Sequence, residues 1–149
     1  MRAVAQRVSQ ACVRVDGETV GEIGPGLLVY LGAGKRDEDA EADWMAGKLG
    51  GLRIFRDEAG KMSRDVHQVG GSVLVVSQFT LYGDVRKGRR PSFDSAAPPE
   101  LAERLYERVC QGMRDADLTV ETGRFRAMMD VHAVVDGPVT IMVDSEKKF

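Results

Sequence analysis

The chain has 149 residues, with 21 Lys and Arg against 23 Asp and Glu, a net charge of −2, and is 43% hydrophobic and 30% charged. This length suggests one domain over residues 1–149, with a core that needs neither metal nor disulfide, and the composition excludes a disordered chain. The slightly acidic balance argues against a chain-wide electrostatic grip on nucleic acid but leaves room for a local basic patch.

In chain order, residues 2–8 (RAVAQRV) and 12–15 (CVRV) read as strands. Residues 16–26 hold Asp-Gly and Gly-Pro-Gly, which are turn signals around a short strand. The continuous apolar run 27–31 (LLVYL) suits a strand buried on both faces. Residues 37–49 read as a helix with Asp37 or Asp39 as its cap and Ala40, Trp44 and the Lys48 stem on one face. A strand is expected at 52–55 and a loop at 57–71. The strongest strand is 73–81 (VLVVSQFTL), and a long polar loop follows over 82–98. In the second helix, near 99–114, Leu101, Leu105, Val109 and Met113 recur four residues apart and Pro99 suits the first turn. Strands are expected at 117–125, 128–135 and 139–144. Many strands with two helices, not in strict alternation, point to an α+β fold with a mostly antiparallel, barrel-like sheet.

Chemistry-bearing motifs are few. No nucleophile elbow, Rossmann fingerprint or P-loop occurs, and Gly32-Ala33-Gly34-Lys35 lacks the spacing that would cradle phosphate and reads as a strand-to-helix turn. Cys12 and Cys110 sit in apolar patterns without metal-ligand spacing, so both are expected as reduced thiols of a cytoplasmic protein, and no metal or cofactor is expected. No secretory leader or membrane span is expected, because the early apolar run is short and the uncharged stretch 66–83 is too polar. Ser77, His132 and Asp130 include the residue types of a catalytic triad, but nothing local brings Ser77 to the other two.

Three segments stand out. In Ser77-Gln78-Phe79-Thr80-Leu81 a buried strand turns polar at its end, which suits either a site or a solvent-facing strand end. On a continued strand, Ser77 and Phe79 would face one side and Gln78 and Thr80 the other. Gly137-Pro138 separates two apolar strands and reads locally as a hairpin turn. Arg86, Lys87, Arg89 and Arg90 put four cations in five residues, either a solvated surface or a phosphate-contacting loop.

Together these pieces resemble the D-aminoacyl-tRNA deacylase family, also called D-tyrosyl-tRNA deacylase. The resemblance runs from Gln6-Arg7-Val8-Ser9 through GEIGPGLLV at 21–29, GGSVLVVSQFTL at 70–81, RPSF at 90–93 and TGRF at 122–125 to DGPVT at 136–140. It implies hydrolysis of the ester between tRNA and a D-amino acid, or glycine mischarged onto tRNA. It also implies a homodimer in which SQFTL of one subunit meets Gly-Pro of the other across the interface. By that resemblance Gly137 and Pro138, joined by a cis bond, form the chiral selector, supported by Arg7. Ser77, Gln78, Phe79 and Thr80 form the facing catalytic pocket, and hydrolysis relies on main-chain groups and the 2′-hydroxyl of the terminal adenosine. Arg86, Lys87, Arg89 and Arg90 are the candidates for tRNA contact. The chain departs from the family at Val135, where Asn is common. A non-catalytic RNA-binding barrel and a Ser77/His132 esterase are the rival readings.

Overall fold

One strand, β1 (Arg2–Val15), organises the sheet in this computed structural model, which describes residues 1–149. Strands β2 (Glu18–Ile23) and β3 (Gly26–Gly32) follow it, then helix α1 (Asp39–Gly50). The short pair β4 (Phe55–Arg56) and β5 (Met62–Arg64) precedes β6 (Ser72–Ser77), which runs into a single 3-10 turn, Phe79–Tyr82. Helix α2 (Pro99–Asp115), β7 (Thr119–Thr122) and β8 (Asp130–Asp144) complete the chain. β8 lies along one edge of β1, while β3 and then β2 share the other. The sheet continues from β3 to β6 and β7 through parallel pairs, whereas the pairings of β1 are all antiparallel. β2 also lies against β6 and β7, so the sheet curls nearly closed into the expected barrel-like α+β fold.

Alternation along the strands builds two apolar layers. Leu28, Leu74 and Val76 point into the curled sheet with Val8, Ala11, Val13 and Ile23. Leu27, Val29, Leu31, Val73 and Val75 point the other way, beneath the helices. α2 meets them with Leu105, Val109 and Met113, nearly or fully buried, each contributing roughly 1.5–3 kcal/mol. Near its end, burial pushes the free Cys110 thiol up to about 11.

Several local expectations are corrected. The two strands read at 2–8 and 12–15 are one strand whose phase changes midway. Ala3 and Ala5 face the helices, yet Ala11 and Val13, also odd-numbered, face the barrel interior. The change falls where Arg7 and Val8 are both buried and Ser9 and Gln10 both exposed, beside register shifts against β8. In α1 the cap is Glu38, whose N–H donates to the Glu41 carboxylate (2.8 Å), and the buried face is Ala42, Met45, Ala46 and Leu49. Ala40 is exposed, although the Lys48 ammonium does lie over the Trp44 ring, 5.4 Å from its centroid. The strand expected at 52–55 is reduced to Phe55–Arg56, and it pairs with Met62–Arg64 inside the expected loop.

The apolar run 73–81 remains a strand only to Ser77. Its partner β3 ends at Gly32, the last rung is Leu31 opposite Ser77, and the Gln78 N–H closes on the Leu31 carbonyl (2.8 Å). Without a further partner the backbone turns into the 3-10 helix, so the strand-like facing expected for Gln78, Phe79 and Thr80 is not realised.

Candidate active site

Ser77, Gln78 and Phe79 line a cleft of about 630 Å³ between the end of β6, the start of α2 and the segment after β7. Its walls are largely apolar, and Phe93, Tyr106, Phe125 and Met129 supply much of them. Phe79, 55% exposed, meets Phe93 edge-on, with ring centroids 5.0 Å apart at 67°. The cleft thus joins the 3-10 turn to the base of the basic loop.

Thr80 is exposed, and its hydroxyl accepts a hydrogen bond from the Gln78 side-chain amide. That bond joins Thr80 to an amide and not to a histidine or carboxylate, the groups that take a proton from a nucleophilic hydroxyl. His132 sits on β8 opposite Cys12, in a separate cleft with Arg14 and Glu22, while Ser77 lines the first. The triad residues are therefore not assembled.

Gly137 and Pro138 are not in a hairpin. Residues 130–135 and 140–144 of β8 both pair with β1 in one continuing direction, and Asp136–Val139 bulges from the ladder between them. The Gly137–Pro138 bond is cis. Gly137 has φ +125, a conformation that L side chains rarely adopt. Arg7 lies beneath this bulge and is only 3% exposed. Its Nη1 donates to the Ile54 carbonyl (2.7 Å), and its Nε is 3.0 Å from the Asp136 carboxylate, close enough for an ion pair but too poorly aligned for a hydrogen bond. Val135, half-buried opposite Val8, brings no polar side chain to the bulge, so Asp136 is the residue that Arg7 holds.

Within one chain the cleft at Ser77–Phe79 does not take in the Gly137-Pro138 motif. Gly137, Pro138, Thr80 and Arg7 are absent from the cleft that Ser77, Gln78 and Phe79 line. Gly137 and Pro138 are exposed on β8, which pairs only with β1.

The basic loop is closed at its base by a two-way backbone ladder between Asp84 and Ser92 (2.8 and 3.0 Å). Arg86 grips Asp84 with its Nε and Nη2 and holds that carboxyl down at about 2. Its charge is offset, which leaves Lys87, Arg89 and Arg90 exposed and free of ion pairs.

Sequence reasoning missed the segment Phe125–Met129 as a cleft wall. The TGRF resemblance ends at its first residue, and the return over the cleft uses Arg126 at φ +65, which no pattern announces.

A family model described as D-Tyr-tRNA(Tyr) deacylase matches residues 4–144. A D-aminoacyl-tRNA deacylase from Symbiobacterium thermophilum is 60% identical over 149 residues, covering 100% of this chain and 99% of the relative. Among solved structures, a c-Myc DNA unwinding element binding protein superposes with a TM-score of 0.91 at 42% identity, covering 97% of this chain and 98% of that one. A probable eukaryotic D-amino acid tRNA deacylase superposes at 0.80 with 20% identity, covering 95% and 97% of the two chains, a likeness of fold alone. No helix here is long and apolar enough to cross a membrane.

Proposed function

The chain belongs to the D-Tyr-tRNA(Tyr) deacylase family and is a hydrolase of ester bonds, and from that membership we propose that it removes D-amino acids and glycine from tRNA while rejecting L-aminoacyl-tRNA. The observation that carries this reading is the Ser77–Phe79 segment at an apolar, aromatic-lined cleft that holds no activated nucleophile. An aminoacyl ester is already activated, so orientation and main-chain donors suffice. The leading N–H groups of the 3-10 turn, those of Phe79 and Thr80, have no partner within the turn and suit a developing oxyanion. Water adds to the ester carbonyl, the carbonyl-carbon-to-ribose-oxygen bond breaks, and the tRNA hydroxyl leaves with a proton. The aromatic walls suit the terminal base by stacking.

In this reading the Gly137–Pro138 bulge is the wall that rejects an L side chain, and Arg7 keeps it in place through Asp136. Glycine has no Cβ, so such a wall does not exclude it. The site is completed by a second copy, whose β8 brings Gly137 and Pro138 over the Ser77–Thr80 segment. Two features favour this: within one chain Gly137 and Pro138 do not line the cleft at Ser77–Phe79, and β8 leaves Val134 (50%) and Met142 (59%) exposed. Its compartment is the cytoplasm, where aminoacyl-tRNA is used.

A deacylation time course on D-Tyr-tRNA and L-Tyr-tRNA tests the proposal. Release from the D-form alone is expected; equal rates, or none on the D-form, would overturn it. A pure nucleic-acid-binding barrel would retain tRNA and never release the amino acid.

Lys87, Arg89 and Arg90 are the expected phosphate contacts, and tRNA binding is expected to weaken with salt. Replacing all three by Gln is expected to lower the slope of log affinity against log salt by roughly 0.7–0.9 for each cation removed. Filter-binding titrations at several salt concentrations check this, and an unchanged slope assigns the contact elsewhere.

A further inference from the structure

The 3-10 turn that carries Phe79 and Thr80 is one turn long, and such a turn does not hold its own position. Its last residue, Tyr82, is anchored by groups from two other parts of the chain, the N-terminus and the turn after β3. The Tyr82 hydroxyl donates to Asp37 Oδ2 (3.1 Å), and the Gly34 N–H donates to the same oxygen (2.6 Å). Asp37 is buried, and its other oxygen accepts from the Met1 ammonium (2.6 Å). The Arg2 guanidinium lies over the Tyr82 ring, 4.6 Å from its centroid, and its Nη1 donates to the Leu81 carbonyl (3.1 Å). Gly34 supplies the remaining room. A Cβ there would stand 2.8 Å from Tyr82 Cε1 and Oη and 2.9 Å from Cζ. Burial and the neighbouring Asp37 carboxylate push the Tyr82 phenol well above its ordinary range, so it stays a donor at working pH.

We propose that the turn after β3, Gly32 to Asp37, is a seat for Tyr82 that sets the position of the Phe79–Tyr82 turn, and that Gly34 and Tyr82 are positioning residues for ester hydrolysis. The glycine-rich stretch that superficially resembles a phosphate loop thereby acquires a different role: its lack of side chains admits a tyrosine ring. The inference rests on the proposed role of residues 77–80, and it places no new group against the substrate.

Gly34 is the sharper probe, because its backbone conformation is open to alanine and the substitution adds only a methyl against the ring. Asp37 is a poorer probe, since it also holds Met1 and Gly34. With D-Tyr-tRNA, Gly34→Ala is expected to lower kcat by about ten- to a hundredfold through misplacement of the turn, with KM within about twofold. Tyr82→Phe removes one hydrogen bond and is expected to lower kcat by about three- to tenfold. In a Tyr82→Leu background Gly34→Ala is expected to cost little more, because the ring it displaces is gone. Backbone amide chemical shifts of Gln78–Tyr82 give a readout independent of turnover, and both Gly34→Ala and Tyr82→Phe are expected to move them. Unmoved shifts, a wild-type kcat in Gly34→Ala, or additive losses in the double variant would overturn the seat. An inert wild-type enzyme would instead overturn the proposed function, leaving the shifts to decide the seat.

Discussion

Gly137→Ala is expected to reduce D-Tyr-tRNA turnover by about a hundredfold or more, the scale of a reacting group displaced by about 1 Å. Two independent features of the position combine. The backbone stands at φ +125, which a residue with a Cβ adopts only at a cost of about 1–3 kcal/mol. The new methyl would also lie 2.8 Å from Val139 Cγ2, 3.0 Å from the Val139 nitrogen and 3.1 Å from Arg7 Nη2. Val139 packs against the main core and Arg7 is buried, so neither yields freely, and the bulge itself has to move. Because β8 is anchored on both sides of the bulge by its ladder to β1, the displacement stays local and the fold is retained. Single-turnover kinetics beside a thermal melt check this. Undiminished turnover would remove residue 137 from the substrate-facing wall, and loss of L-rejection alone would assign it to selectivity without catalysis.

The second large effect concerns β8 itself. A fifteen-residue strand paired on one edge only, with exposed Val134 and Met142, is an edge that proteins ordinarily cover. In the proposed dimer, replacing both residues by Lys is expected to give a folded monomer and to lower turnover by about a thousandfold, since each chain then lacks half of the proposed shared site. Sedimentation, circular dichroism and turnover report the three quantities separately. Mixing gives a stricter check. In a two-fold symmetric dimer with shared sites, a Gly137-defective subunit and a Phe79-defective subunit, each inactive alone, regain one working site per mixed dimer. Random pairing then restores about a quarter of wild-type activity. A fully active monomer, or no recovery on mixing, would overturn the shared site.

Much of this was legible along the chain. The apolar run of β6 and the four-residue period of α2 name their own structures, because burial on a sheet or helix face imposes a local repeat. The motif resemblance singled out residues 77–80 and 137–138 before any geometry. The basic loop was visible as charge, but only the fold showed that Arg86 is neutralised by Asp84, leaving three free cations.

Other features depended on partners far away in sequence. β6 ends at Ser77 because β3 ends at Gly32, so the ladder that would carry Gln78–Leu81 as strand no longer exists. The phase of β1 reverses opposite the β8 bulge, which turns an apparent gap between two strands into one strand serving both apolar layers. Gly137-Pro138 has the local appearance of a turn, yet both flanking segments find the same neighbour, and the chain therefore continues as a bulged strand. Composition and element order thus implied a small α+β fold, and the motif resemblance implied a hydrolase, its family and its candidate residues. The tertiary structure decided how those residues are held: Arg7 under Asp136, and Tyr82 between Arg2, Asp37 and Gly34. The net charge of −2 takes its meaning from the same division, since charge is a sum over the sequence, whereas folding decides which cations of a loop stay unpaired, here Lys87, Arg89 and Arg90.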